Sequence, residues 1–231
     1  MGGNIFSICH DLEEPLGIYT AEGRERRSGS FLQQWFHRQP QTALVVICRG
    51  QGDQRDETAV RASGERMVRL LTAFERWFRR DFPANIHPFS ADVVKCYWKS
   101  MIGEVSEMGQ PPFDVAVLLV HEGQYILCSR GSFLVYEVTC SGQTCRRLYT
   151  GMERRRMDEE LGISRDGMSR LQFRHRKIRE KTLFFLYHNN NIPKNLHSFD
   201  NPFSKKGREK LAEQGCCVAV AAGDAAARRR W

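Results

Sequence analysis

A chain of 231 residues, 41% of them hydrophobic, suits one large domain with a single core. Its apolar runs, such as Val115–Val120, are far shorter than the roughly 20 residues a membrane-spanning helix needs, and no apolar stretch near the start reads as a signal peptide, so a cytoplasmic protein is expected. The net charge of +8 favours an acidic partner, but the arginines of residues 154–181 are interleaved with Asp158, Glu159, Glu160, Asp166 and Glu180, aromatic residues are sparse there, and no nucleic-acid-binding motif is present. That stretch reads as a solvated basic face ahead of a nucleic-acid site.

Before about Gln41 the pattern is weak. Gly17–Tyr19 is a short edge strand, Thr20–Ser30 a polar loop, and Phe6 stands where a myristoylation signal wants Ser or Thr. Leu44–Cys48 is a fully apolar strand that stops at Arg49-Gly50-Gln51-Gly52-Asp53, and a strand running into a glycine-rich turn before a helix is a usual place for a site. Val60, Met67, Leu70, Leu71, Phe74, Trp77 and Phe78 recur at three- and four-residue spacing and predict an amphipathic helix over Glu57–Arg80. After a proline-bearing connection, Asp81–Pro88, Ser90 caps a second helix with an apolar face of Val93, Val94, Tyr97, Trp98, Met101, Ile102, Val105 and Met108.

The stretch Phe113–Val138 organises the rest. Val115–Val120, Tyr125–Cys128 and Phe133–Val138 are separated by the turn Glu122-Gly123 and the break Gly131-Ser132, which predicts a three-stranded meander. Because its first strand is apolar at consecutive positions, it must be buried on both faces. Arg146–Tyr149 adds a fourth strand, residues 151–170 form a surface excursion with a helical turn at Asp158–Leu161, and Leu171–His175 and Thr182–Tyr187 are further strands. His188–Asn191 marks a turn, Ser204–Gln214 a short helix and Cys216–Ala222 a last buried strand; Gly223–Trp231 reads as a disordered basic tail, leaving 1–222 as the single domain. Strands, two helices, then strands with a late helix argue for α+β.

Over residues 17 to 222 this layout resembles the metal-dependent protein phosphatases of type 2C. The resemblance implies a sandwich of two mainly antiparallel sheets flanked by pairs of antiparallel helices. The family's strand ending in Asp-Gly-x-Gly-Gly is similar to Val45–Asp53, with Arg49 in place of the Asp and Gly50 and Gly52 kept. Its Gly-Asp-Ser-Arg motif resembles Ser129-Arg130-Gly131-Ser132, with Ser132 at the acidic position. Its Ser-Asp-Gly-Leu strand end resembles Phe184–Asn191, with Asn189 for Asp, and its Asp-Asn strand start falls on Gly215 and Cys216. Near the start, Gly23–Ser30 keeps the family's Gly and its phosphate-contacting arginine, Arg26, and lacks the acidic end.

All five motif positions lack their carboxylate. Two-metal phosphate hydrolysis holds its ions roughly 3.5–4 Å apart on hard oxygen ligands, mainly carboxylates. An arginine at such a position repels a dication. The expectation is therefore a pseudophosphatase that needs no cofactor, although the family uses manganese or magnesium, and that binds a phosphorylated or acidic protein through an anion site at Arg26 and Arg49. Alternatives are a metal-dependent serine/threonine phosphatase with relocated ligands, Asp53 foremost and Asp56, Asp114 or Asp200 after it, and a basic binder of nucleic acid. Arg49 merely paired with a local acid such as Asp53 or Glu22 is the plainer role. The eight cysteines show no zinc-type spacing and read as small buried hydrophobes.

Overall fold

The computed structural model describes residues 16–20, 32–39, 42–50, 57–82, 89–106, 113–131, 133–139, 144–148, 171–179, 182–188 and 216–222. These residues form ten strands and two helices in the order β1 (Leu16–Thr20), β2 (Leu32–Gln39), β3 (Thr42–Gly50), α1 (Glu57–Arg76), α2 (Ala91–Ser106), β4 (Phe113–His121), β5 (Gln124–Arg130), β6 (Phe133–Thr139), β7 (Thr144–Leu148), β8 (Gln172–Lys177), β9 (Thr182–His188) and β10 (Cys216–Ala222). The strands form two five-stranded sheets, β1-β10-β9-β6-β7 and β2-β3-β4-β5-β8. Every pairing in both is antiparallel.

The apolar run of β4 is explained by what lies on each side of it. Val115, Val117 and Leu119 face Met67, Leu70, Phe74, Trp98 and Ile102 of the helices, while Ala116, Leu118 and Val120 face Phe133, Val135, Phe184 and Leu186 of the other sheet. Strand periodicity sends alternate residues to opposite faces, so a strand sandwiched between helices and a second sheet must be apolar throughout. β3 follows the same rule, with Leu44, Val46 and Cys48 toward the helices and Ala43, Val45 and Ile47 toward the other sheet.

α1 continues through a wider turn at Trp77–Asp81, closed by the Phe82 N–H bonding to the Trp77 carbonyl. This turn keeps Trp77, Phe78 and Phe82 all buried, with Phe78 and Phe82 stacked at 5.4 Å between centroids. Phe74 and Trp77 meet Trp98 edge-on at 5.9 and 6.1 Å, which joins the two helices through aromatic contacts. Ser90 caps α2 as its sequence predicts, its Oγ accepting the Val93 N–H at 3.5 Å. The buried stripe of α2 is narrower than the predicted face: Val94, Trp98, Ile102 and Val105 are buried, while Val93 and Tyr97 are about 40% exposed on its flank (41% and 39%).

Other boundaries also shift. β2, unpatterned in sequence, pairs with β3 along its whole length, from Leu32↔Arg49 to Gln39↔Thr42. β3 does not stop at Cys48: Arg49 and Gly50 stay in the strand because Asp114 and Phe113 of β4 lie opposite them. The connection expected from Asp81 begins later, since the helical turn runs through Phe82. His188, expected to open a turn, instead closes β9 because Phe133 of β6 pairs with it; the rest of that turn and the predicted features at residues 151–170, Ser204–Gln214 and 223–231 lie outside the described residues.

Candidate functional site

The strand order gathers the motif positions at one end of the sandwich. Only Gly131 and Ser132 separate the end of β5 from the start of β6, which lie in different sheets, so these two termini share one end. The start of β4 lies beside the end of β5 (Val115↔Arg130), and the end of β3 beside the start of β4 (Gly50↔Phe113). In the other sheet the end of β9 lies opposite the start of β6 (His188↔Phe133), and β10 begins there with Cys216 opposite Tyr187. Arg49, Gly50, Gly131 and Cys216 therefore belong to one rim. Arg26, Gly52, Asp53, Asp56, Ser132, Asn189, Asp200 and Gly215 lie outside the described residues.

At this rim the side chains are charged, and their neighbours are set by register. Arg49 and Asp114 are directly opposite on β3 and β4 and fall on the face turned toward the other sheet, in phase with Ile47 and Ala116. Directly opposed residues on one sheet face lie close enough for an opposite-charge pair to interact favourably. Asp114 is only 2% exposed. Its carboxylate lies against Gly131, where a Cβ would come 1.8 Å from Oδ1. Glycine is required at Gly131 for this close approach and also for the backbone, whose φ is +89°.

Arg130 supplies the next charge. Its Nη2 donates to the Phe113 carbonyl at 3.2 Å, and its guanidinium lies 4.6 Å from the centroid of the Phe113 ring. Burial lowers its proton affinity below the ordinary arginine value; Cys128 and Asp114 act to raise it, and Arg66 of α1 to lower it further. Arg66 is itself 5% exposed, bonds through Nε to the Ala62 carbonyl at 3.3 Å, and has its proton affinity lowered by burial. Beneath these groups, burial pushes the Cys48 thiol up to about 12 and the Cys128 thiol higher still. Both stay protonated at neutral pH and serve as small apolar side chains, not nucleophiles.

A magnesium or manganese pair needs a cage of several oxygen ligands. The described part of this rim offers one carboxylate, Asp114, with the guanidinium of Arg130 within its electrostatic reach and Arg49 opposite it. That donor set does not fit two dications. Among the described residues no cluster of three or more His, Cys, Asp or Glu side chains occurs.

Sequence reasoning named Arg49 and Gly50, though in a turn and not in the strand, and named Asp114 only as one relocated ligand among several. It did not single out Arg66 or Arg130. The signal for Arg130 was available: it precedes the glycine of the second motif at a strand end. Arg66 becomes a neighbour only through the docking of α1.

No family model matches the sequence, and no curated protein matches it by sequence. Solved structures do match its fold. An S. agalactiae serine/threonine phosphatase aligns at a TM-score of 0.60 and 12% identity over 90% of this chain and 98% of that one. PppA of Pseudomonas aeruginosa, described as a key regulatory component, aligns at 0.58 and 12% over 90% and 96%. RsbX, solved in complex with magnesium, aligns at 0.53 and 10% over 89% and 92%. The chain thus has the α+β fold of the type 2C serine/threonine phosphatases, with two antiparallel sheets and a helix pair on one of them.

Proposed function

We propose that this chain is a non-catalytic, degenerate member of the phosphatase fold, a pseudophosphatase that acts by binding a phosphorylated or acidic partner. The observation that carries the reading is Arg49 on β3 directly opposite the buried Asp114, with Arg130 next to that carboxylate. A guanidinium takes the place of the first motif's acid, and its counter-charge comes from within the chain. Arginine forks suit phosphate and carboxylate oxygens, so Arg49, with Arg26 where the first loop brings it near, is the anion-binding element of the reading. Gly50 and Gly52 leave room for close backbone approach. The similarity to PppA, a regulatory component, agrees with a role in regulation.

Two measurements test this. Purified protein with manganese or magnesium should hydrolyse neither a phosphoserine peptide nor an aryl phosphate above a blank. A phosphopeptide should bind the wild type and bind Arg49→Ala about tenfold more weakly at moderate salt, in line with one lost charge-assisted contact. Equal affinities, or no binding to either, would leave Arg49 as no more than the internal partner of Asp114. A second reading, a phosphatase with relocated ligands, draws on the buried carboxylate of Asp114. A metal-dependent rate that Asp114→Asn or Asp53→Asn abolishes would establish it.

A further inference from the structure

β8 is an edge of its sheet among the described strands, paired only with β5, from Gln124↔Lys177 to Ser129↔Gln172. Its outer row of backbone N–H and C=O groups is a template on which another strand can pair. Between Gln172 and Arg179 the chain carries Arg174, Arg176, Lys177 and Arg179 with His175, and no carboxylate. His175, Arg176, Lys177 and Arg179 are exposed.

Register divides these cations between the two faces. Arg174 and Arg176 are opposite Leu127 and Tyr125, which face the other sheet, whereas His175 is opposite Ile126, on the helix side. His175 bonds Gln124 Oε1 at 3.0 Å. Its proton affinity is lowered, first by burial and then by Lys95 of α2, with Asp92 opposing and Lys177 adding to the effect. The cations of β8 itself therefore lie on both faces of the edge, while Lys95 on the helix side is paired with Asp92 at 3.0 Å. The strand is also held in place, because Ile178 is buried and its N–H bonds the Gly123 carbonyl at 2.7 Å.

We infer that the outer edge of β8 receives an extended acidic segment of a partner protein, which pairs as an added strand while its carboxylates meet Arg174, Arg176, Lys177 and Arg179. Main-chain bonds supply the register and opposite charge the selectivity, as in other strand-addition complexes. One or two charges suffice to keep an edge from self-pairing. A run of a single sign on both faces does more, since it repels a second copy of itself and attracts an acidic strand. Nucleic acid is the poorer fit, because the cations straddle a strand edge on two faces and the one aromatic side chain of β8, Phe173, packs against the helix-side core. This edge is separated from β3 by β4 and β5, so the inference stands apart from the Arg49 reading.

The test uses the full chain and a labelled peptide of alternating glutamate and valine, long enough to span β8, in fluorescence anisotropy. Binding should weaken about tenfold or more when alternate peptide amides are N-methylated in the pairing register, and by a similar factor in Arg174→Glu with Arg176→Glu. Hydrogen exchange should slow at β8 amides on binding. Equal affinity for the methylated peptide, no binding up to about 1 mM, or protection appearing at the β3–β4 rim instead would overturn the inference. Tighter binding of a single-stranded oligonucleotide in competition would overturn it in favour of nucleic acid. Should the charge-reversed variant lose its fold by circular dichroism, Arg174→Gln with Arg176→Gln and the methylated peptide on wild type give the same decision.

Discussion

Gly131→Ala is the sharpest perturbation of the charged rim, because it adds one carbon where the structure has no space. The new Cβ would stand 1.8 Å from Asp114 Oδ1, 2.3 Å from its Cγ and 2.9 Å from its Cβ, against a comfortable separation of roughly 3.5 Å. Asp114 is 2% exposed, so its carboxylate has no solvent into which to swing. The φ of +89° adds backbone strain of about 1 kcal/mol for a residue bearing a Cβ. Moving a buried carboxylate away from its charged neighbours costs about another 1–3 kcal/mol. The sum, about 2–4 kcal/mol, corresponds to a fall in Tm of roughly 5–15 °C for a chain of this size. Urea titration followed by tryptophan fluorescence measures it, with Asp114→Ala and the double variant completing a cycle. The double variant should be less damaged than the two single costs predict, by about 1 kcal/mol. A loss below about 0.5 kcal/mol for Gly131→Ala, or costs that simply add, would refute the packing of the carboxylate against this glycine.

Trp98→Ala should cost about 3–5 kcal/mol, since Trp98 is fully buried and joins α2 to Phe74 and Trp77 of α1; a loss under about 1 kcal/mol in the same titration would contradict the helix–helix core. The raised Cys48 pKa fixes a sign. The folded thiol stays neutral while an unfolded one ionises above 9.0, so its contribution is complete below that pH and declines as pH rises toward about 12. Cys48→Ala should accordingly lose less stability than wild type on going from pH 8 to pH 10, and a parallel decline would count against burial of this thiol. In the native protein Cys96, which is exposed, should react with an aromatic disulfide reagent while Cys48 and Cys128 stay protected; fast modification of all three would show that the strands open readily.

Much of the architecture was legible because its signal is local. The consecutive apolar residues of Val115–Val120 required cover on two faces, and the period of Met67, Leu70, Phe74 and Phe78 required a helix on a sheet. β2 was missed because Leu32–Gln39, LQQWFHRQ, has no alternation; pairing with β3 makes it a strand. Tertiary pairing also carried Arg49 and Gly50 into β3, where the glycine had suggested a turn. Val93 and Tyr97 were placed on the buried face of α2 by their period, yet they sit at its margin, where half-exposed apolar residues cost little. Within the candidate site, Arg49 was legible as a charge at a strand end. Asp114 opposite it was not, because the register that sets it there spans 65 positions (114 − 49); Asp53 and Glu22, the acids that sequence offered, lie outside the described residues.

The separation of core from rim makes the fold independent of the chemistry at its strand ends. Two apolar layers, one between the helices and β3-β4-β5 and one between the sheets, involve none of the motif residues Arg49, Gly50 and Gly131. Burial of that area dominates folding, and it is indifferent to whether the strand ends carry carboxylates or arginines. What the rim must satisfy is its own charge balance, because an unpaired buried carboxylate would cost several kcal/mol. Asp114 meets that condition by lying opposite Arg49 and within electrostatic reach of Arg130, and Gly131 makes the approach possible. A scaffold whose buried strand-end carboxylate has one arginine opposite it and another within electrostatic reach keeps the phosphatase fold without asking its core to supply that charge balance.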